Sequence, residues 1–101
     1  MTFSEYQKSA LKTAMPKTEN NELFHLVLGL VGETGEIAEK FKKLVRDKNS
    51  QESEIDQQDM KKELGDVLWY VCVLADYLGV DFDDLANQTL GDQISETIPA
   101  C

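Results

Sequence analysis

The stretch GLVGETGEIAEKFKK, Gly29–Lys43, sets Glu33 and Glu36 three residues apart inside a long helical pattern. Residues three or four apart share a helical face, so the two carboxylates project together. The apolar series Leu26, Leu30, Ile37, Phe41 and Leu44 keeps helical spacing and predicts the buried stripe. Ile37 lies four residues after Glu33, which puts the acidic pair at the border of that stripe. Two unpaired carboxylates beside a core repel each other and lose hydration, an arrangement that usually persists with a cation or hydrogen-bond donors between them. A divalent metal satisfies both.

The same device returns in KKELGDVLWYVCVLADYLG, Lys61–Gly79, where Glu63 and Asp66 stand three apart beside Leu64, Val67, Val71, Leu74 and Leu78. Two helices joined on these faces surround a pocket with four carboxylates. Oxygen-only donor sets suit hard cations, here Mg²⁺ with Mn²⁺ as a substitute.

Outward from these two segments the chain reads as helices and connectors. Thr2 with Glu5 fits a capping box and opens a helix through Phe3, Tyr6, Ala10 and Leu11 that ends before Pro16. PKTENN, residues 16–21, is a connector whose Asn20 or Asn21 caps a second helix running to Arg46. Gly29, Gly32 and Gly35 lie inside that helix, where each costs up to about 1 kcal/mol relative to Ala. Their spacing predicts close approach by another backbone or a ligand, with close helix packing explaining at least two of them. The polar run 47–55 is a surface loop permitting an antiparallel hairpin. A third helix runs from Ile55 to Leu78 with Gly79 as its stop, and Asp81 caps a fourth from Phe82 to Leu90. GDQISETIPAC, residues 91–101, has weak periodicity and reads as irregular or docked on a partner.

These elements predict an all-α fold, a helical bundle of four helices in one domain over residues 1–101. Its two long antiparallel helices carry the acidic motifs. A core as small as this length permits is completed by oligomerisation. The net charge of -9, with no basic side chain after Lys62, argues against a nucleic-acid polymer as partner. A small nucleotide arriving with its metal remains compatible. Solvation of an acidic face explains most of the asymmetry. No apolar run approaches the roughly 20 residues needed to span a bilayer, and MTFSEYQKSA lacks the order of a signal peptide; a cytoplasmic protein is expected. Cys72 reads as a small core residue and Cys101 as an exposed last residue, neither a disulfide framework nor a zinc spacing.

Glu33-x-x-Glu36, 26 intervening residues, then Glu63-x-x-Asp66 resembles the signature of the MazG-like all-α nucleoside triphosphate pyrophosphohydrolases. YQKSALKTA near the start and the sequences flanking both pairs resemble that family too, over residues 5–85. The resemblance implies a dimer or dimer of dimers. It implies Mg²⁺-dependent hydrolysis of NTP or dNTP to the monophosphate and pyrophosphate, in nucleotide-pool house-cleaning. Glu36, Glu63 and Asp66 would be metal ligands, with Glu33 a further ligand or the carboxylate that orients and deprotonates the attacking water. Lys40 and Lys43, one and two turns beyond the first pair, would hold polyphosphate; their plain alternative is a solvated pairing with Glu36 or Glu39. His25, two turns before Glu33, is a substrate contact or an ordinary polar residue. Trp69 stacks on the base or belongs to the core. The chain departs from the family where relatives carry an Asn followed by Lys and Arg; it has Thr89 and Asp92 near those positions.

Two other classes compete. A ferritin-like metal site needs Glu-x-x-His from two helices, and Glu22-x-x-His25 supplies one, with His25 the sole histidine. A catalytically silent helical module of the same fold, serving as a partner-binding or regulatory subunit, is the alternative to the enzyme. Within the enzyme class, the relative acting on phosphoribosyl-ATP is the rival.

Overall fold

The computed structural model describes residues 1–14 and 21–96, with no account of the Glu96 side chain. Most of the connector at 16–21, Asn20 as a cap, and the segment ending in Cys101 lie outside the described residues. Four α-helices, α1 (Phe3–Leu11), α2 (Glu22–Lys48), α3 (Gln57–Tyr77) and α4 (Phe82–Glu96), and one 3₁₀ turn, Glu52–Glu54, account for the described chain, which has no strand. The all-α expectation holds. α4 runs to Glu96 rather than Leu90, so the weakly periodic 91–96 is helical; mainchain bonding does not require an apolar stripe.

The helix ends follow local chemistry. Thr2 Oγ1 accepts from the Glu5 N–H while Glu5 Oε1 accepts from the Thr2 N–H, a complete capping box. Asn21 occupies the cap position of α2 without a side-chain bond. α2 ends at Asn49, in the left-handed region at φ 52°, which Asn tolerates better than most residues. Asp56 Oδ1 accepts from Gln58 and Asp59 N–H at 3.1 Å each, starting α3. Gly79 at φ +76° stops that helix. Val80 N–H bonds the Ala75 carbonyl and Gly79 N–H the Asp76 carbonyl, the double bond of a Schellman end.

The chain groups into two compact units, Lys17–Val71 and, from both ends, Met1–Pro16 with Cys72–Cys101. In the second, Phe82 is buried and meets Phe3 edge-on at 5.1 Å between ring centroids. Among the described residues, Ala10, Cys72, Val73 and Ala75 complete the buried apolar set there. Burial pushes the Cys72 thiol up, away from its reactive thiolate. Gln7 is the buried polar group among the described residues of this unit. Its Nε2 donates to the Cys72 and Val80 carbonyls at 3.3 and 3.2 Å, and its Oε1 accepts from the Phe82 N–H at 3.1 Å. One side chain thus ties α1 to the α3–α4 turn.

In the unit Lys17–Val71, α2 and α3 are antiparallel: Lys40 faces Asp59 and Glu63, and Gly29 faces Tyr70. The expected stripes are only partly inside. Leu26 is buried and Leu30, Ile37 and Leu44 are half-buried, but Phe41 is exposed. On α3, Val67, Val71 and Leu74 are half-buried whereas Leu64 is 59% exposed, as is Leu78 in the turn that follows the helix. α3 is apolar nearly all round from Val67 to Leu74, so periodicity could not select its inner face. The glycine expectation is corrected as well. Only Gly29 is crowded, a Cβ there falling 2.3 Å from Tyr70 Cε1, while Gly32 and Gly35 have nothing within 4 Å.

Gly29→Ala is expected to displace the Tyr70 ring at a cost of about 1–3 kcal/mol, offset by up to about 1 kcal/mol of helix propensity, for a net destabilisation read as a lowered midpoint in urea. Gln7→Leu, which leaves the Phe82 N–H and Val80 carbonyl without their partner, is expected to lose a similar amount; an unchanged midpoint would show that those groups find other partners.

A carboxylate cluster between the two long helices

Glu33 and Glu36 lie one turn apart on α2 and Glu63 faces them from α3, with one carboxylate oxygen from each within 4.8 Å of the others. Glu63 is buried, Glu33 half-buried and Glu36 exposed. Asp66, one turn beyond Glu63 and half-buried, lies outside this group. Three of the four expected carboxylates therefore converge.

Glu33 Oε2 and Glu63 Oε2 are buried without a hydrogen-bond partner. A buried carboxylate oxygen left in this state costs free energy that a bound cation would return. With oxygen donors only, the set fits a hard divalent ion such as Mg²⁺. Glu33, Glu36 and Glu63 are the residues that would hold it, and the chemistry a bound ion supplies is neutralisation of phosphate oxygens.

Lys40 extends across to α3 rather than pairing with Glu36 or Glu39. Its Nζ donates to Glu63 Oε1 at 3.0 Å and to Asp59 Oδ2. The Lys40 hydrogen bond holds the Glu63 carboxyl below its ordinary range against the opposing effect of burial. Glu36 moves the other way, raised by the neighbouring Glu63 carboxyl and by the charge of Glu33. The Asp59 hydrogen bond pushes the Lys40 ammonium above its ordinary range, outweighing desolvation.

Asp59 was absent from the sequence candidates, although it sits four residues before Glu63, on the same face of α3. Lys43 is exposed and, with Lys40, lines a cavity of about 230 Å³ that Phe41, Leu44, Ile55 and Met60 make partly apolar. His25 is exposed on α2. Trp69 is half-buried and meets Tyr70 edge-on at 5.1 Å. Thr89 lies on α4 with its hydroxyl donating to the Leu85 carbonyl, and Asp92 is exposed on the same helix.

The family description "MazG nucleotide pyrophosphohydrolase domain" matches residues 21–94, which contain the whole cluster. The chain belongs to that family. That family is one of nucleotide pyrophosphohydrolases and is metal-dependent, in keeping with the carboxylate cluster of this chain. The chain is also similar to the "Gene 37 protein" of Mycobacterium phage L5, 44% identical over 68 residues, which cover 67% of this chain and 60% of that protein. It thus spans less than two thirds of the length of this curated relative. No solved structure matches. No helix among the described residues is long and apolar enough to cross a membrane.

The opposed shifts of Glu36 and Glu63 predict how the metal-free protein responds to pH. Glu36, raised in the folded state, favours folding below its unfolded-state pKa, and that advantage is lost as pH rises through its folded value; Glu63, lowered, contributes above its unfolded-state pKa and loses this as pH falls. In chelator at neutral pH, Glu36→Gln is therefore expected to melt above the wild type, with the gap closing in mild acid as Glu36 takes up its proton. Melting curves across pH 4–8, about the carboxylate range and above it, check this; a Glu36→Gln protein that melts below the wild type at neutral pH would contradict the repulsion argued here.

Proposed function

We propose that the protein is a Mg²⁺-dependent nucleoside triphosphate pyrophosphohydrolase, converting NTP or dNTP and water to the monophosphate and pyrophosphate in nucleotide-pool house-cleaning. The observation that carries this reading is the pair of buried, unpartnered oxygens of Glu33 and Glu63 beside Glu36, in a chain of this family. Glu33, Glu36 and Glu63 would hold the ion, with Asp66, one turn beyond Glu63 on α3, as the fourth acidic residue of the site. One carboxylate of the group would orient the attacking water and take its proton, as general-base chemistry requires. Glu36 suits this role, being the exposed member of the group and the one whose neighbours favour its protonated form.

For the substrate, Lys43 is the cation we assign to the polyphosphate, with Lys40 beside it in the same cavity wall. His25 and Trp69 are the further candidates for nucleoside contacts. The unit Lys17–Val71 leaves Phe24, Leu28 and Val31 of α2 more than half exposed, together with Leu64 of α3. A second copy of the chain burying these side chains gives the homodimer, or dimer of dimers, of this reading, and its location is cytoplasmic.

A pyrophosphate-release assay over ribo- and deoxynucleoside triphosphates is expected to yield chelator-sensitive monophosphate and pyrophosphate, and Glu63→Gln to abolish both. Magnesium should also raise the melting temperature, since ligand at about 100 times its dissociation constant adds roughly 2.7 kcal/mol of stability. A protein that binds Mg²⁺ but releases no pyrophosphate from any nucleotide would replace this reading with the silent, partner-binding module.

A further inference from the structure

We propose that Asp59 is a positioning residue for the carboxylate cluster, holding the Lys40 ammonium on one oxygen of Glu63 so that the other is presented to the ion. The proposal rests on the metal-dependent reading above. Asp59 and Glu63 lie one turn apart on α3 and converge on a single ammonium from α2. Exposure falls along this relay, from 39% of the Asp59 side chain and 31% of Lys40 to 6% of Glu63. A lysine stem is long and rich in rotamers, so one bond to Glu63 would leave the ammonium free to swing toward water. The second acceptor removes that freedom.

The two oxygens of Glu63 are then no longer equivalent. Oε1 accepts from Lys40, while Oε2 is buried and unpartnered. With Oε1 tied, rotation of the carboxylate plane is restricted and Oε2 keeps its place. Neither Asp59 nor Lys40 belongs to the group that would hold the ion. A half-exposed ion pair contributes little to stability, so the value of Asp59 lies in the orientation it imposes through Lys40.

The test is Mn²⁺ binding by electron paramagnetic resonance on the full chain, for wild type, Asp59→Asn, Lys40→Met and the double variant, with metal-free melting curves alongside. Removing a group that orients a ligand weakens metal binding by about 10- to 100-fold, and Asp59→Asn and Lys40→Met are each expected to do so. The double variant is expected to bind no worse than Lys40→Met, because Asp59 acts through Lys40. Lys40→Arg, which can span both carboxylates, is expected to restore binding close to wild type, and Asp59→Asn to shift the metal-free melting temperature little. Wild-type affinity in Asp59→Asn would overturn the proposal, as would a loss that persists in the Lys40→Met background, since Asp59 would then act as a bare charge. Tighter binding by Lys40→Met would overturn it too, making Lys40 a competitor of the ion. If Lys40→Met does not fold, Asp59→Asn and Lys40→Arg still decide. A wild type that binds no Mn²⁺ removes the metal reading along with this one, whereas bound Mn²⁺ unaffected by the variants removes this one alone.

Discussion

A carboxylate taken out of water must meet positive charge or hydrogen-bond donors, and the pairing of α2 with α3 depends on how Glu63 meets this demand. One of its oxygens has the Lys40 ammonium; the other, with Glu33 Oε2, has nothing. The unit Lys17–Val71 therefore folds around a group that its own residues satisfy only by half. Such an arrangement is poor as a stabilising device, because buried ion pairs seldom recover their full desolvation cost. It is suited to a site in which an ion completes the coordination.

The other unit follows the opposite rule. Gln7, its buried polar side chain, makes three hydrogen bonds to the backbone, all to groups flanking the turn between α3 and α4. Ser4 Oγ donates to Asp81, and the Phe3 N–H to Asp83, so α1 is fastened to the start of α4 by polar contacts as well as by the Phe3–Phe82 ring pair. The buried Gln7 is thus fully satisfied within its own unit, whereas the buried Glu63 is not.

Burial of apolar surface is modest throughout. The side chains left open on α2 are not scattered, for Phe24, Leu28 and Val31 recur at intervals of four and three and share a face. The same helix therefore carries carboxylates toward α3 and an apolar row elsewhere on its circumference. A helix with two such demands cannot satisfy both within a single hairpin, which is the physical ground for a second copy in the proposed assembly.

Much of what is set within one or two turns was legible in the sequence: the Thr2–Glu5 box, the Gly79 stop, the Asp81 cap, and the two acidic pairs at spacing three. These rest on bonds and side-chain neighbours separated by at most five residues, so residue type alone determines them. The 3₁₀ turn and the last turns of α4 escaped because no apolar pattern marks them. The convergence of Glu33, Glu36 and Glu63 without Asp66, the reach of Lys40 to Asp59, and the crowding of Gly29 but not of Gly32 or Gly35 were decided by tertiary structure. Each depends on the rotation of α3 about its own axis relative to α2. That rotation is set by how side chains such as Tyr70 fit against the facing helix, and α3, apolar on nearly every side from Val67 to Leu74, carries no periodic signal there from which it can be read.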